Sequence, residues 1–97
     1  MQAKTEARES LWDALLDRIL DRLQTSRSEL RRERKSAARK GAIAVHLKQT
    51  TGAKNPWITG QLGMGDPNGV SRYVGMFRRG GRPDVQSFFQ RITDVRT

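Results

Sequence analysis

Several polar side chains between residues 68 and 79 are of the types that hydrogen-bond to the edges of nucleic-acid bases. Arginine matches the two acceptors of guanine, asparagine matches the donor and acceptor of adenine, and serine can contact a base or a phosphate. Most of these side chains would share one side of a helix, where they predict a surface for a DNA groove. The candidate contact residues are Asn68, Ser71, Arg72, Tyr73, Arg78 and Arg79.

Tyr73 and Gly75 differ from the other positions of this segment. Tyr73 lies between the outward positions and the core-facing ones, so a phosphate contact and a packing role are both open. Gly75 shares the outward side, and its lack of a side chain would let the helix lie close to the wall of a groove.

The segment 57–79 has the layout of a helix-turn-helix. Such a unit needs an apolar pair on its first helix, a glycine turn, an apolar residue in the turn and two core positions on its second helix. The positions are filled, in that order, by Ile58, Leu62, Gly63, Met64, Val70 and Val74. The stretch from Gly63 to Val70 predicts an extended turn in which residues 67–69 open a recognition helix over 69–79. A helical hairpin of purely structural role shares these spacings and is the alternative.

A basic segment precedes this unit. Residues 26–48 carry a net charge of +6, out of +9 for the whole chain. Such cations add salt-dependent affinity for phosphates without distinguishing bases. The alternative is a solvated helix face. Glu29 and Glu33 would pair locally there with Arg32, or with Arg34 and Lys35. The candidate backbone contacts are Arg27, Arg31, Arg34, Lys35, Arg39 and Lys40.

Helical periodicity runs through most of the remaining chain. Residues 6–24 place leucines, Ile19 and Trp12 at steps of three and four, which predicts an amphipathic helix that either packs on the domain or dimerises. A second helix is expected from Ser28, as its N-cap, to about Gln49. Asn55 and Pro56 predict the N-terminus of the short helix 57–62.

The last helix is expected to begin at Pro83 and to carry an apolar face along 85–95. No strand periodicity is present. The sequence thus predicts an all-α fold, a small helical domain of about five helices. Its parts are an N-terminal amphipathic helix (1–25), a basic DNA-binding core (26–81) and a C-terminal amphipathic helix (82–97).

Composition excludes several kinds of chemistry. The chain has 97 residues, no cysteine and one histidine, so disulfides, thiolate metal sites and histidine clusters are excluded. His46 stands among apolar neighbours and is expected to be partly buried or capping rather than catalytic. No apolar run could span a bilayer and no signal peptide is evident, which predicts a cytoplasmic, nucleoid-associated protein. We expect no enzyme activity, metal, cofactor or small-molecule substrate.

The region 36–79 resembles the C-terminal region of bacterial single-tyrosine HUH transposases, including those associated with repetitive extragenic palindromes. Its most specific part is the pattern W-I-x-x-x-L-x-M-G-x-x-x-x-V-S over residues 57–71. The resemblance implies a helix-turn-helix-like DNA-binding appendage, but no catalysis, because the paired histidines of the catalytic domain are missing. The matching residues are Ala42, Ala44, Leu47, Thr50, Thr51, Trp57, Ile58, Leu62, Met64, Gly65, Val70 and Ser71.

These observations predict a sequence-specific or structure-specific DNA-binding protein, either a transcriptional regulator or a transposase-derived module. A homodimer through residues 11–23 and 85–95 would let two recognition helices contact two half-sites. The alternative is a protein-interaction adaptor whose terminal amphipathic helices bind a partner chain. Membrane binding through 27–40 has the least support, because that segment lacks large apolar side chains to insert.

Overall fold

A computed structural model describes the backbone of residues 2–96 and the side chains of residues 8–96. Within these residues helices are the only regular secondary structure, which confirms the predicted all-α fold, with six helices in place of about five. No helix in this range has the length and apolar character needed to cross a membrane. The helices are α1 (Gln2–Leu23), α2 (Arg27–Arg32), α3 (Ala38–Thr51), α4 (Asn55–Leu62), α5 (Pro67–Arg78) and α6 (Pro83–Ile92).

Helix α3 forms the centre of the domain. Residues 40–47 are all buried, and α1, α5 and α6 pack around this helix. A helix surrounded in this way needs apolar residues on every side rather than on one stripe. Ile43, Val45 and Leu47 are completely buried, together with two alanines. The second half of the basic segment therefore lies in the core.

The two terminal helices contribute their apolar faces to that core. Leu15 and Leu16 of α1 and Ile92 of α6 have no exposed surface, and Val85 is almost as buried. The packing interpretation therefore describes these helices, and the hypothesis of a dimer through 11–23 and 85–95 is not supported. Those faces would have to leave the core before a second copy could bind them. Leu11, which is 57% exposed, is the exception.

The expected single helix from Ser28 to Gln49 is interrupted, which corrects the prediction. Helix α2 ends after Arg32, Glu33 adopts an extended conformation, and α3 begins at Ala38. Ser26, rather than Ser28, is the N-cap of α2, since its hydroxyl accepts a hydrogen bond from the Glu29 amide at 3.2 Å. The break allows Leu30 to be buried while the chain turns toward α3.

The start of α4 also differs in detail from the prediction. Lys54 occupies the N-cap position without a side-chain cap, and Asn55 is already helical. Pro56 lies in the first turn, as expected for a residue whose missing amide hydrogen has no partner there. The Asn55 side chain is thus available for a contact with another helix.

The turn between α4 and α5 has the components expected of a helix-turn-helix. Gly63 ends α4 in the left-handed conformation, with φ of 67°, and Met64 is buried at 5% exposure. Asp66 caps α5 by accepting from the Asn68 amide at 2.9 Å. Because α5 begins at Pro67, the connection is only Gly63–Asp66. The turn is therefore compact rather than extended.

Candidate nucleic-acid interface

Helix α5 has one packed side and one free side. Val70 is fully buried and Tyr73 is 7% exposed, and the helix packs against α3 and α4. The opposite side is exposed at the five other candidate contact residues, so the predicted separation of core and outward positions is present. These five residues are Asn68, Ser71, Arg72, Arg78 and Arg79.

A groove of about 870 Å³ runs beside this free side of α5. Ser71, Arg72 and Arg79 line it from the helix, and Lys35 lines it from the loop between α2 and α3. The fold therefore brings part of the basic segment next to α5. Asn68 and Arg78 are exposed on α5 but do not line the groove.

The groove has a net positive charge. Within residues 8–96, no ion pair involves the cations of Lys35, Arg72 or Arg79. Asp66 is the acidic side chain in the lining, and one of its oxygens already accepts the α5 cap bond. Cations gathered around a concave surface repel one another, and an anion bound there would relieve that repulsion.

Two glycines shape the surface on which the arginines lie. A β-carbon on Gly69 would be 3.7 Å from Nη2 of Arg72, and one on Gly75 would be 3.4 Å from Nη1 of Arg79. Both guanidinium groups therefore extend back along the helix over a residue without a side chain. Because no side chain projects at these two positions, the guanidinium groups can lie close to the backbone of α5.

Ser71 is held by a contact that sequence analysis missed. The Asn55 side-chain amide donates to the Ser71 hydroxyl oxygen at 2.9 Å. With this bond accepted, the hydroxyl proton of Ser71 remains available for an acceptor such as a phosphate or base oxygen. Asn55 was predicted only as part of a helix start, and no sequence pattern links it to a residue sixteen positions later.

Tyr73 has the packing role of its two open alternatives. Its ring lies against Gly41 of α3, where an added β-carbon would be only 2.6 Å from two ring carbons. The phenol oxygen accepts a hydrogen bond from Arg82 at 3.3 Å, and the Arg82 guanidinium also binds Asp84 through two oxygens. Tyr73 and Arg82 therefore border the groove as structural residues, and the contact predicted for Tyr73 is not supported.

The basic segment divides into engaged and exposed side chains. Arg27 pairs with Asp13 at 2.9 Å and Asp17 at 3.0 Å, so it fastens α2 to α1. Arg39 pairs with Glu33, although it was not one of the partners expected for that carboxylate. Three predicted phosphate contacts remain exposed, and these are Arg31, Arg34 and Lys35.

Lys40 contradicts its predicted role, because its side chain is completely buried. Its ammonium donates to the carbonyl oxygens of Glu33 at 2.8 Å and Gly63 at 3.1 Å. Burial lowers the pKa of Lys40, and the negative charge of Glu33 acts in the opposite direction. Lys40 cannot reach a phosphate at the surface.

His46 is buried rather than partly buried. Its Nε2 atom lies 2.8 Å from the carbonyl oxygen of Val95, and its ring meets Phe89 edge to face. These contacts tie the end of the chain to α3, which is a structural role.

Comparisons with known protein families, with curated proteins and with solved structures find no match for this chain.

Proposed function

We propose that this protein binds double-stranded DNA by placing the exposed side of α5 in the major groove. The observation that carries the proposal is the groove beside α5, where Lys35, Arg72 and Arg79 line one surface without carboxylate partners in residues 8–96. A phosphate backbone supplies the anions that such a surface requires.

The arrangement of α3, α4 and α5 supports the same proposal. The compact turn and the buried Met64 hold α5 against the other two helices, while its outward side stays free. In this proposal Arg72 and Ser71 contact base edges or phosphates in the major groove of the DNA. Lys35 and Arg79 contact the flanking backbone. The proposal includes a relation to the DNA-binding appendage of the transposases, and it assigns no catalytic role to this chain.

The adaptor alternative receives less support from the geometry. It requires the apolar faces of the terminal helices to be available to a partner, whereas the apolar residues of α1 and α6 are buried in the core. Among residues 8–96, Leu11 is the large apolar side chain of these two helices that remains exposed.

The test is fluorescence anisotropy of the full chain with a labelled random-sequence duplex over a salt series. We expect wild-type binding to weaken steeply with salt and Arg72→Ala to weaken it by roughly tenfold at fixed salt, as for loss of one base or phosphate contact. Arg18→Ala is the matched control, because it removes the same charge from an exposed position on α1 that lies outside the groove.

Two outcomes would contradict the proposal. Absence of wild-type binding at low salt would remove the DNA function altogether. Equal losses for Arg72→Ala and Arg18→Ala would show that total charge, and not the surface of α5, determines affinity. If the expected pattern is found, selection of a preferred sequence from a random pool follows.

A further inference from the structure

The buried ammonium of Lys40 connects two segments that are distant in the chain. Glu33 is the C-cap of α2 and Gly63 is the C-cap of α4, and Lys40 donates to the carbonyl oxygen of each. A cation at a helix C-terminus is favourable, because the last carbonyls lack partners and carry the negative end of the helix dipole. Here the Lys40 ammonium donates hydrogen bonds at the C-termini of both α2 and α4.

Both helices already have ordinary backbone caps. The Glu33 amide donates to Leu30 and the Gly63 amide donates to Thr59. Burying an ammonium is costly, and a methionine could occupy much the same volume without that cost. What the ammonium adds is a fixed link between the loop 33–37 and the turn 63–66.

Lys35 spans the same two segments that this link joins. The end of the Lys35 side chain rests on Gly65, where a β-carbon would be 2.9 Å from Cε and 3.0 Å from Nζ. Lys35 belongs to the loop and Gly65 to the turn, and Lys40 joins this loop to this turn. Lys35 lines the same groove as Arg72 and Arg79.

We propose that Lys40 is a positioning residue for the DNA interface, which holds Lys35 beside the recognition helix so that Lys35 contacts one phosphate of the flanking backbone. This inference rests on the proposed function. It assigns to a residue without solvent exposure a measurable part in the binding of DNA.

The test compares the salt dependence of duplex binding for wild type, Lys35→Gln, Lys40→Met and the double variant, using the full chain and the same random-sequence duplex. The slope of log affinity against log salt is negative, and loss of one phosphate contact lowers its magnitude by about 0.9. We expect this decrease in each single variant and no further decrease in the double variant. Arg32→Gln, an exposed cation on α2 outside the groove, should retain the wild-type slope.

The slope separates positioning from stability. A variant that is merely less stable has a smaller folded fraction at every salt concentration, which lowers affinity without removing a phosphate contact. A wild-type slope in Lys40→Met would overturn the proposal. A double variant with the sum of the two decreases would also overturn it, since Lys40 would then act independently of Lys35.

A second measurement uses the wild-type protein and covers the case in which Lys40→Met does not fold. Nuclear Overhauser effects between the ε-protons of Lys35 and the α-protons of Gly65 are expected in the free protein. Their absence would show that Lys35 is not held in place, which would overturn the proposal. If wild type binds no duplex at low salt, the DNA function itself fails and this inference fails with it.

Discussion

Replacing Gly75 by alanine should make the protein more stable and weaken the proposed binding to duplex DNA. Gly75 lies in the interior of α5, on the outward side, beneath the guanidinium of Arg79. A glycine inside a helix costs about 1 kcal/mol relative to alanine, because its backbone loses more freedom on folding. The substitution removes that cost at a position where the arginine needs the space.

The magnitude follows from the contact at this position. The new β-carbon would be 3.4 Å from Nη1 of Arg79, which is the far end of a flexible side chain and can move by a few tenths of an ångström. Most of the helix gain should therefore be kept, which gives about 0.5–1 kcal/mol of added stability and raises Tm by about 2–8 °C. Displacement of Arg79 and the added methyl group on the outward side of α5 should weaken the proposed DNA binding by about 1 kcal/mol, or roughly fivefold.

Gly60 provides the matched control. It is an exposed position in the interior of α4, and a β-carbon there would meet nothing within 4 Å. Gly60→Ala should produce a similar gain in stability, about 1 kcal/mol, without a change in DNA affinity. Thermal unfolding followed by circular dichroism measures the first quantity, and anisotropy with the random-sequence duplex measures the second.

Two results would refute the reasoning. Wild-type affinity in a Gly75→Ala variant that gains stability would show that the missing side chain at position 75 has no part in binding. Equal losses of affinity in Gly75→Ala and Gly60→Ala would also refute it, since the effect would not depend on position.

Three further predictions concern stability and titration. Gly41→Ala should destabilise the fold by about 1–3 kcal/mol, because the methyl group would collide with the ring of Tyr73; neutral behaviour in urea unfolding would contradict this packing. Met64→Ala should cost about 2–5 kcal/mol in the same assay, and a smaller loss would mean that the turn closes over the cavity. The Arg82 guanidinium lowers the pKa of Asp84. The stability from this pair is therefore present above the unfolded pKa and is lost as the pH falls through the lowered one, and Arg82→Gln should raise the Asp84 midpoint in an NMR titration.

The terminal helices were predictable because burial of one face leaves a helical period in the sequence. Leu15, Ile19 and Leu23 repeat at four-residue steps in α1, and Phe89 and Ile92 do so at three in α6. Periodicity shows that such a face is covered, but not by what. The choice between packing and dimerisation therefore required the tertiary structure, in which α3 covers both helices.

The break between α2 and α3 left no comparable signal. The stretch 33–37 contains neither glycine nor proline, and its residues are compatible with a continuous helix. The interruption depends on distant contacts, in which Leu30 is buried and Lys40 bonds the carbonyl of Glu33. Lysine is rarely buried without a partner, so sequence reasoning placed Lys40 at the surface.

The candidate site was predictable where one helix forms it. The alternation of buried and exposed positions along α5 could be derived from periodicity, and Arg72 and Arg79 were placed correctly on the outward side. The contacts that other helices make with α5 could not be predicted in this way. Asn55 reaches Ser71 only because α4 packs on α5. Arg82 borders the groove because the chain turns back toward α6 at that residue, with φ of 52°.

The pairing of the two tryptophans makes the docking of α1 visible to spectroscopy without a label. Trp12 and Trp57 are the two tryptophans of the chain, and their rings meet at an angle of 64° with centroids 5.3 Å apart. Rings at this distance couple electronically, so the pair should give a far-ultraviolet circular dichroism couplet that vanishes when α1 leaves α4. The single tyrosine, Tyr73, lies instead between α3 and α5. Tryptophan and tyrosine emission would therefore follow the opening of the N-terminal helix and of the central core as two separate events.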